Sequence, residues 1–222
     1  EALDEIAARL EKAKDVNKEI QVIIKETMAK HSRVIFNGNN YSEEWVKEAE
    51  KRGLPNVKNT ADALKSLVSD KAIKLFGKYN VLSKGELHSR YEIYAEQYAK
   101  HINIEARTAA QMTRRQYIPA VIRYISVLGA SASAAGKHGG VQKKLLEQIS
   151  ALLESVGQKV EKLEAATLKA QAIADVEKQT MAFRDKVMTA MVSLREDVDQ
   201  LEELMPADLW PVPTYSELLF KL

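Results

Sequence analysis

Residues 83–106, SKGELHSRYEIYAEQYAKHINIEA, decide how the rest of the chain reads. Leu87, Tyr91, Tyr94, Tyr98, Ile102, Ala109 and Met112 recur at steps of three and four, with one double step of seven from Ile102 to Ala109. That spacing sets them on one side of an α-helix. Ser83 as N-cap, with Glu86 three residues on, makes a capping box, and Leu82 and Leu87 stand where a hydrophobic staple closes over it. Carried on to Leu128, the helix reaches roughly 65–70 Å at 1.5 Å per residue. Pro119 lies inside it, and a proline there removes one backbone bond and costs about 3 kcal/mol unless packing compensates. The pattern predicts a kink near Tyr117, or a restart with Pro119 in the first turn, and not a loop.

Downstream, residues 129–140, GASASAAGKHGG, have little to bury and read as a hairpin connection. From Val141 to Leu204 no proline interrupts the chain, a run of roughly 95 Å if helical throughout. Leu145, Ile149, Leu152, Val156, Val160 and Leu163 form one stripe. Phe183, Val187, Ala190, Leu194, Val198, Leu201 and Met205 form a second. Both step as fragments of an eleven-residue repeat, which predicts a nearly straight packed helix. Gly157 is its expected bend, at about 1 kcal/mol relative to alanine. In the tail, Thr214 and Glu217 make another capping box, and Trp210, Tyr215, Leu218, Leu219 and Phe220 need a surface to dock on.

Upstream, residues 1–31 carry a heptad-like seam of Leu3, Ile6, Leu10, Ala13, Asn17, Ile20, Ile24 and Thr27. Asn17 there reads as a core-edge residue bonded to a neighbour, or as a register device. Val34, Ile35 and Phe36 with the turn 37–40 read as a short extended piece. Ser42 starts a helix whose Trp45, Val46 and Ala49 face inward, and Gly53 with Pro55 stops it. Asn59 or Thr60 caps a helix bearing Ala63, Leu64, Leu67 and Val68, and Ser69 caps another. The expectation is an all-α fold: an elongated bundle on an antiparallel hairpin of two very long helices, with shorter helices packed at one end. Residues 1–78 and 79–222 are the expected domains.

Composition narrows the function classes. Of 222 residues, 29% are charged and 45% hydrophobic, which excludes disorder. The net charge of +2 is spread along the chain and offers nucleic acid no footprint. With no cysteine, thiol chemistry and disulfides are out, and a reducing cytosol suits the chain. The apolar run 117–128 is broken by Arg123 and too short to span a membrane. The chain opens on Glu1 in helical period, so it is expected to begin inside a larger protein.

No pattern of catalytic residues stands out. His88 with Glu92 and His101 with Glu105 each give half a metal site, which reads as exposed or packing residues. Glu86 and Arg90 are four apart, an intrahelical ion pair worth a few tenths of a kcal/mol. Arg114, Arg115 and Arg123 read as a solvated face. FNGNN and KHGG lack the ending and strand a phosphate loop needs. The tyrosines of 91–98 and 117–124 read as core with a polar tip.

Three stretches carry a resemblance: RVIFNGNNYSEEWVKEAEKRGLPN (33–56), LSKGELHSRYEIYAEQYAKHINIEA (82–106) with IPAVIRY (118–124), and LWPVPTYSELLF (209–220). Together they resemble the C-terminal part of type III glutamine synthetases, and EALDEIAARLE (1–11) resembles the helix after the last catalytic strands. The structural family-motif positions are Trp45, Gly53, Glu86, Arg90, Tyr91, Glu105, Pro119, Trp210, Pro211, Pro213, Tyr215 and Phe220. The resemblance implies a parent that joins glutamate and ammonium through a γ-glutamyl phosphate, with ATP and Mg²⁺ or Mn²⁺, in stacked hexameric rings. The family's metal- and substrate-binding motifs match no residue here, so neither catalytic, cofactor-binding nor metal residues are assigned. The implied role is structural: packing and ring assembly with the rest of the synthetase chain and neighbouring subunits, in the cytoplasm. A stand-alone helical interaction module is the rival; a nucleic-acid-binding bundle is the weaker third.

Overall fold

A computed structural model describes residues 2–220, with the backbone alone at Tyr215 and Ser216. Every regular element among the described residues is helical. The chain divides into two compact units, Glu1–Lys58 and Asn59–Leu222.

The first unit opens with α1 (Ala2–Lys12) and α2 (Val16–His31), where one helix over 1–31 was expected. The break has a local cause: the Asp15 carboxylate accepts the Lys18 N–H at 3.1 Å and caps a new helix. α1 then packs on α2, with Arg9 donating to Glu19 at 2.6 and 2.9 Å and to Glu26 at 2.6 Å. Ile23, outside the expected seam, is the side chain this packing buries, while Asn17 stays exposed in the first turn of α2. α3 (Glu43–Lys51) starts as expected at Ser42. It ends on Gly53 at φ +68°, where the Gly53 and Leu54 N–H groups reach the carbonyls of Glu50 and Ala49. That pair of bonds is a Schellman stop.

The second unit is an up-down-up helical bundle with short helices at one end. α4 (Thr60–Leu64), capped by Asn59, continues as a 3₁₀ turn over Lys65–Val68 and is followed by α5 (Asp70–Lys78), capped by Ser69. Within α4 the buried residue is Ala61, and Ala63 is exposed. These pieces pack on α6 (Lys84–Met112), the helix with the expected capping box. A π-turn over Thr113–Tyr117 joins α6 to α7 (Ile118–Ala135) without a break. The Ile118 N–H donates to the Thr113 carbonyl across that widened turn, directly ahead of Pro119. The missing proline donor is thus absorbed where the ladder has already been re-spaced.

Helix α7 runs through residues 129–135, which were expected to lie in the hairpin connection; Ala132 is buried there. The reversal itself is confined to the 3₁₀ turn Gly136–His138 and Gly139, with Gly136 at φ +54°. α8 (Gly140–Gln171) then runs antiparallel to the first arm and continues as helix through Gly157. Its direction is fixed by Glu164 opposite Arg114 and Gln171 opposite Asn103.

The expected single helix over 141–204 stops at Gln171. Asp175 caps α9 (Val176–Ala182) by accepting the Lys178 N–H at 2.8 Å. A second π-turn, Phe183–Val187, leads into α10 (Met188–Leu204). The reversal brings Gln179 back to the carbonyls of Gln171 and Ile173, and sets the Thr180 hydroxyl on the Ala95 carbonyl at 3.1 Å. The physical reason is burial: folding back lets the second apolar stripe share one core with the first. Ile149, Val156, Val160 and Leu163 meet Phe183, Val187, Leu194, Val198 and Leu201 there. On α6 the buried line is Leu87, Ala95, Ala99, Ile102, Ala106 and Ala110, so small residues do the close packing. Tyr91 and Tyr98 are half-buried at its edge, and Tyr94 is 43% exposed. A last helix, α11 (Tyr215–Phe220), closes the tail.

Candidate functional site

The C-terminal tail meets the bundle at the α6–α7 π-turn. Trp210 is buried and stacks on Tyr117, centroids 5.2 Å apart and planes 15° from parallel. Its indole N–H is closed off from solvent without an acceptor, a local cost offset by the stacked rings and the apolar area they remove from water. Beside it lies a groove of about 440 Å³ between α6, α10 and the tail, lined largely by Met112, Met188, Met191, Val198 and Trp210, with Arg195 and Asp199 among its polar groups. Pro211 is half-buried, and Pro213 is exposed and contributes to the same groove. The second capping box forms: Thr214 N–H donates to Glu217 at 2.9 Å, and the Glu217 N–H donates to the Thr214 hydroxyl at 3.3 Å. Leu218, Leu219 and Phe220 remain exposed, and the Tyr215 side chain lies outside the described residues.

The other motif positions are scattered rather than gathered. Trp45 stacks on Phe36 at 4.5 Å with the Arg52 guanidinium 5.6 Å from its ring centre, a local clasp in the first unit. Arg52 also bonds Glu48 and the carbonyls of Arg33 and Ile35, so it ties the loop before α3 to the end of that helix. Glu86 accepts the Ser83 N–H at 2.7 Å, and this bond, then Ser83's side chain, then the charge of Arg90, holds its carboxyl below the usual range. Burial, then the nearby Glu177 and Asp175 charges, pushes the Tyr91 hydroxyl up. Arg90 and Glu105 are exposed, and Pro119 is half-buried.

Two polar contacts that the sequence reading missed pin α8 in place. Lys159 donates to Asp197 at 2.6 Å and to the Ser193 carbonyl at 3.0 Å, while the Ser155 hydroxyl donates to the other Asp197 oxygen at 2.5 Å. The Lys159 and Asp197 side chains are only 23% and 9% exposed, so this ion pair is shielded rather than solvated. Arg114, read as part of a solvated basic face, makes a bidentate pair with Glu164 at 2.7 and 2.5 Å and lowers that carboxyl's pKa. Arg184 pairs with both Asp62 and Asp185. The signal for Asp197 was its place one residue from Val198 in the second stripe; its partner is visible only once α10 has turned back.

Among the described residues this donor set does not gather into a divalent-metal centre. The best placed carboxylates are spent on Ser83, Arg114 and Lys159, and no three His, Asp or Glu side chains gather among the described residues. His88, Glu92, His101 and Glu105 are all exposed.

Comparison with known proteins gives the chain its place. The glutamine synthetase C-terminal domain family matches residues 19–135. A glutamine synthetase from Butyrivibrio fibrisolvens is 32% identical over 213 residues, covering 94% of this chain and 30% of that protein. The type-3 glutamine synthetase of Dictyostelium discoideum is 34% identical over 207 residues, 89% of this chain and 28% of that protein. A Bacteroides fragilis glutamine synthetase is 25% identical over a similar span. The chain thus spans less than a third of the length of these relatives. With the family's domain laid over more than half its residues, from α2 to the end of α7, the chain belongs to the glutamine synthetase C-terminal domain family.

Proposed function

We infer that this chain is the helical C-terminal portion of a type III glutamine synthetase, contributing packing and ring assembly rather than ligation chemistry. The observation that carries this reading is a similarity that runs along nearly the whole chain yet occupies under a third of each relative. In the parent, glutamate and ammonium are joined at the expense of ATP, with Mg²⁺ or Mn²⁺. The groups that hold nucleotide and metal belong to the remainder of that enzyme. The commitment of Glu86, Glu164 and Asp197 to a cap and two ion pairs supports a structural role for these carboxylates. Residues 79–222, with their continuous core, take the assembly role, and the parent works in the cytoplasm as a homo-oligomer.

An ATP-dependent assay of glutamine formation tests it. This chain alone forms no glutamine, whereas the polypeptide of the complete coding region does. Turnover by the 222-residue chain itself overturns the reading.

A further inference from the structure

The turn FNGNN, residues 36–40, is tied down at both ends and open in the middle. Ahead of it, Arg52 holds the carbonyls of Arg33 and Ile35, and Phe36 stacks on Trp45. Behind it, the Asn39 carboxamide oxygen accepts the Tyr41 N–H at 3.0 Å, and the Asn39 carbonyl accepts the Ser42 hydroxyl at 2.8 Å. Between these ties, Asn37 and Gly38 are exposed and lie outside every regular element. Neither the Asn37 carboxamide nor the Gly38 N–H has a hydrogen-bond partner among the described residues. A β-carbon at Gly38 would stand 2.6 Å from two ring atoms of Phe36. Any other residue there has to shift a ring already stacked on Trp45, so the clasp itself calls for glycine after Asn37.

That requirement has a chemical consequence. An asparagine side chain is labile to attack by the backbone nitrogen of the next residue, and a side chain on that residue hinders the approach, whereas glycine leaves it open. Asn37 is the one asparagine in the sequence that precedes a glycine. Asn17 and Asn103 lie within helices, and the Asn39 and Asn59 side-chain oxygens are held by backbone N–H groups. Asn40, Asn56 and Asn80 precede Tyr41, Val57 and Val81, whose side chains stand in the way. We propose that Asn37 is a site of spontaneous deamidation, with the Gly38 nitrogen as its nucleophile and water as its co-reactant. The Gly38 nitrogen gives its proton to solvent base and bonds to Asn37 Cγ. The Cγ–Nδ2 bond breaks, ammonia leaves with a proton returned from solvent, and a five-membered succinimide remains. Water then opens the ring at either carbonyl, which leaves aspartate or isoaspartate at position 37. Nothing is oxidised or reduced.

Incubation of the 222-residue chain at mildly alkaline pH, followed by peptide mapping with mass spectrometry, tests it against the free peptide of residues 33–42. Asn37 converts in the folded chain within about tenfold of its rate in the peptide, and ahead of every other asparagine. The product contains isoaspartate beside aspartate, as ring opening at both carbonyls requires. Asn37→Gln abolishes conversion at this position, because attack would have to close a larger ring. Gly38→Ala slows it about tenfold or more in chain and peptide alike, and the peptide, which has no clasp to disturb, separates hindered attack from a displaced Phe36. Conversion slower than about one tenth of the peptide rate means that the fold holds the dipeptide away from the reactive geometry, and overturns the proposal. Aspartate without isoaspartate marks direct hydrolysis with no part for the Gly38 nitrogen, and overturns it too. So does faster loss at Asn40, Asn56 or Asn80, or an unchanged rate in Gly38→Ala.

Discussion

The arm 84–135 contains a proline and does not break; the stretch 141–204 contains none and does. In the first, Pro119 follows a π-turn that has already re-spaced the backbone ladder, and Ala120 and Val121 beside it are fully buried. In the second, four residues at 172–175 release the helix although alanine there favours it. The difference teaches that continuity was set by what each segment could bury and by which side chain could cap a fresh start. Intrinsic propensity was outweighed in both places.

The largest test of that contrast lies at Phe183, the most voluminous fully buried side chain, at the start of the returning π-turn. If shared burial holds the reversal in place, Phe183→Ala destabilises the second unit by about 3–5 kcal/mol. Urea unfolding followed by circular dichroism measures it, and a loss below about 1 kcal/mol would mean the return does not depend on that core.

Next in size is the shielded pair that exists only because α10 folds back along α8. Lys159→Met leaves Asp197 with Ser155 alone and costs about 3 kcal/mol, the scale for removing one member of a buried pair. Lys159→Met combined with Asp197→Leu should recover most of that loss, since two apolar groups replace two ions. A double-mutant cycle in urea separates the pair from its surroundings, and failure of the double variant to recover stability would assign the loss to packing around Lys159 instead.

The caps explain what the sequence reading could and could not see. Both unforeseen helix breaks fall at the same tetrad pattern: Asp15-Val16-Asn17-Lys18 and Asp175-Val176-Glu177-Lys178. In each, the aspartate accepts from the lysine N–H three residues on. That signal was in the chain but was overrun by apolar spacing that continued on either side. The spacing itself was informative, because both stripes of 141–204 do line the core. Spacing reports which face is buried, but not whether two stripes lie end to end or side by side. On α6 it favoured the tyrosines, whereas close approach of α8 and α9 selected the alanines between them. The tail's stacked tryptophan was legible only as an apolar residue in need of a surface. Its partner, Tyr117, lies far away in sequence. Asp175→Ala therefore costs about 1 kcal/mol through the lost cap. Hydrogen exchange at the Lys178 amide should accelerate while the core of α10 keeps its protection, and unchanged exchange at Lys178 would deny Asp175 that role.

The smallest expected effect is at Pro119. Were the proline straining an ordinary α-helix, Pro119→Ala would recover close to the full penalty of about 3 kcal/mol. The Ile118 bond to Thr113 and the Thr113 hydroxyl on the Ala109 carbonyl at 2.8 Å hold a wider turn instead. Directly after that turn the ring meets a backbone ladder already re-spaced on its N-terminal side, so the substitution should change stability by less than about 1 kcal/mol. Equilibrium unfolding of Pro119→Ala decides between the two. A gain near 3 kcal/mol would mean that the arm carries its proline as strain, and that its continuity is owed to the packing of α7 on α8 alone.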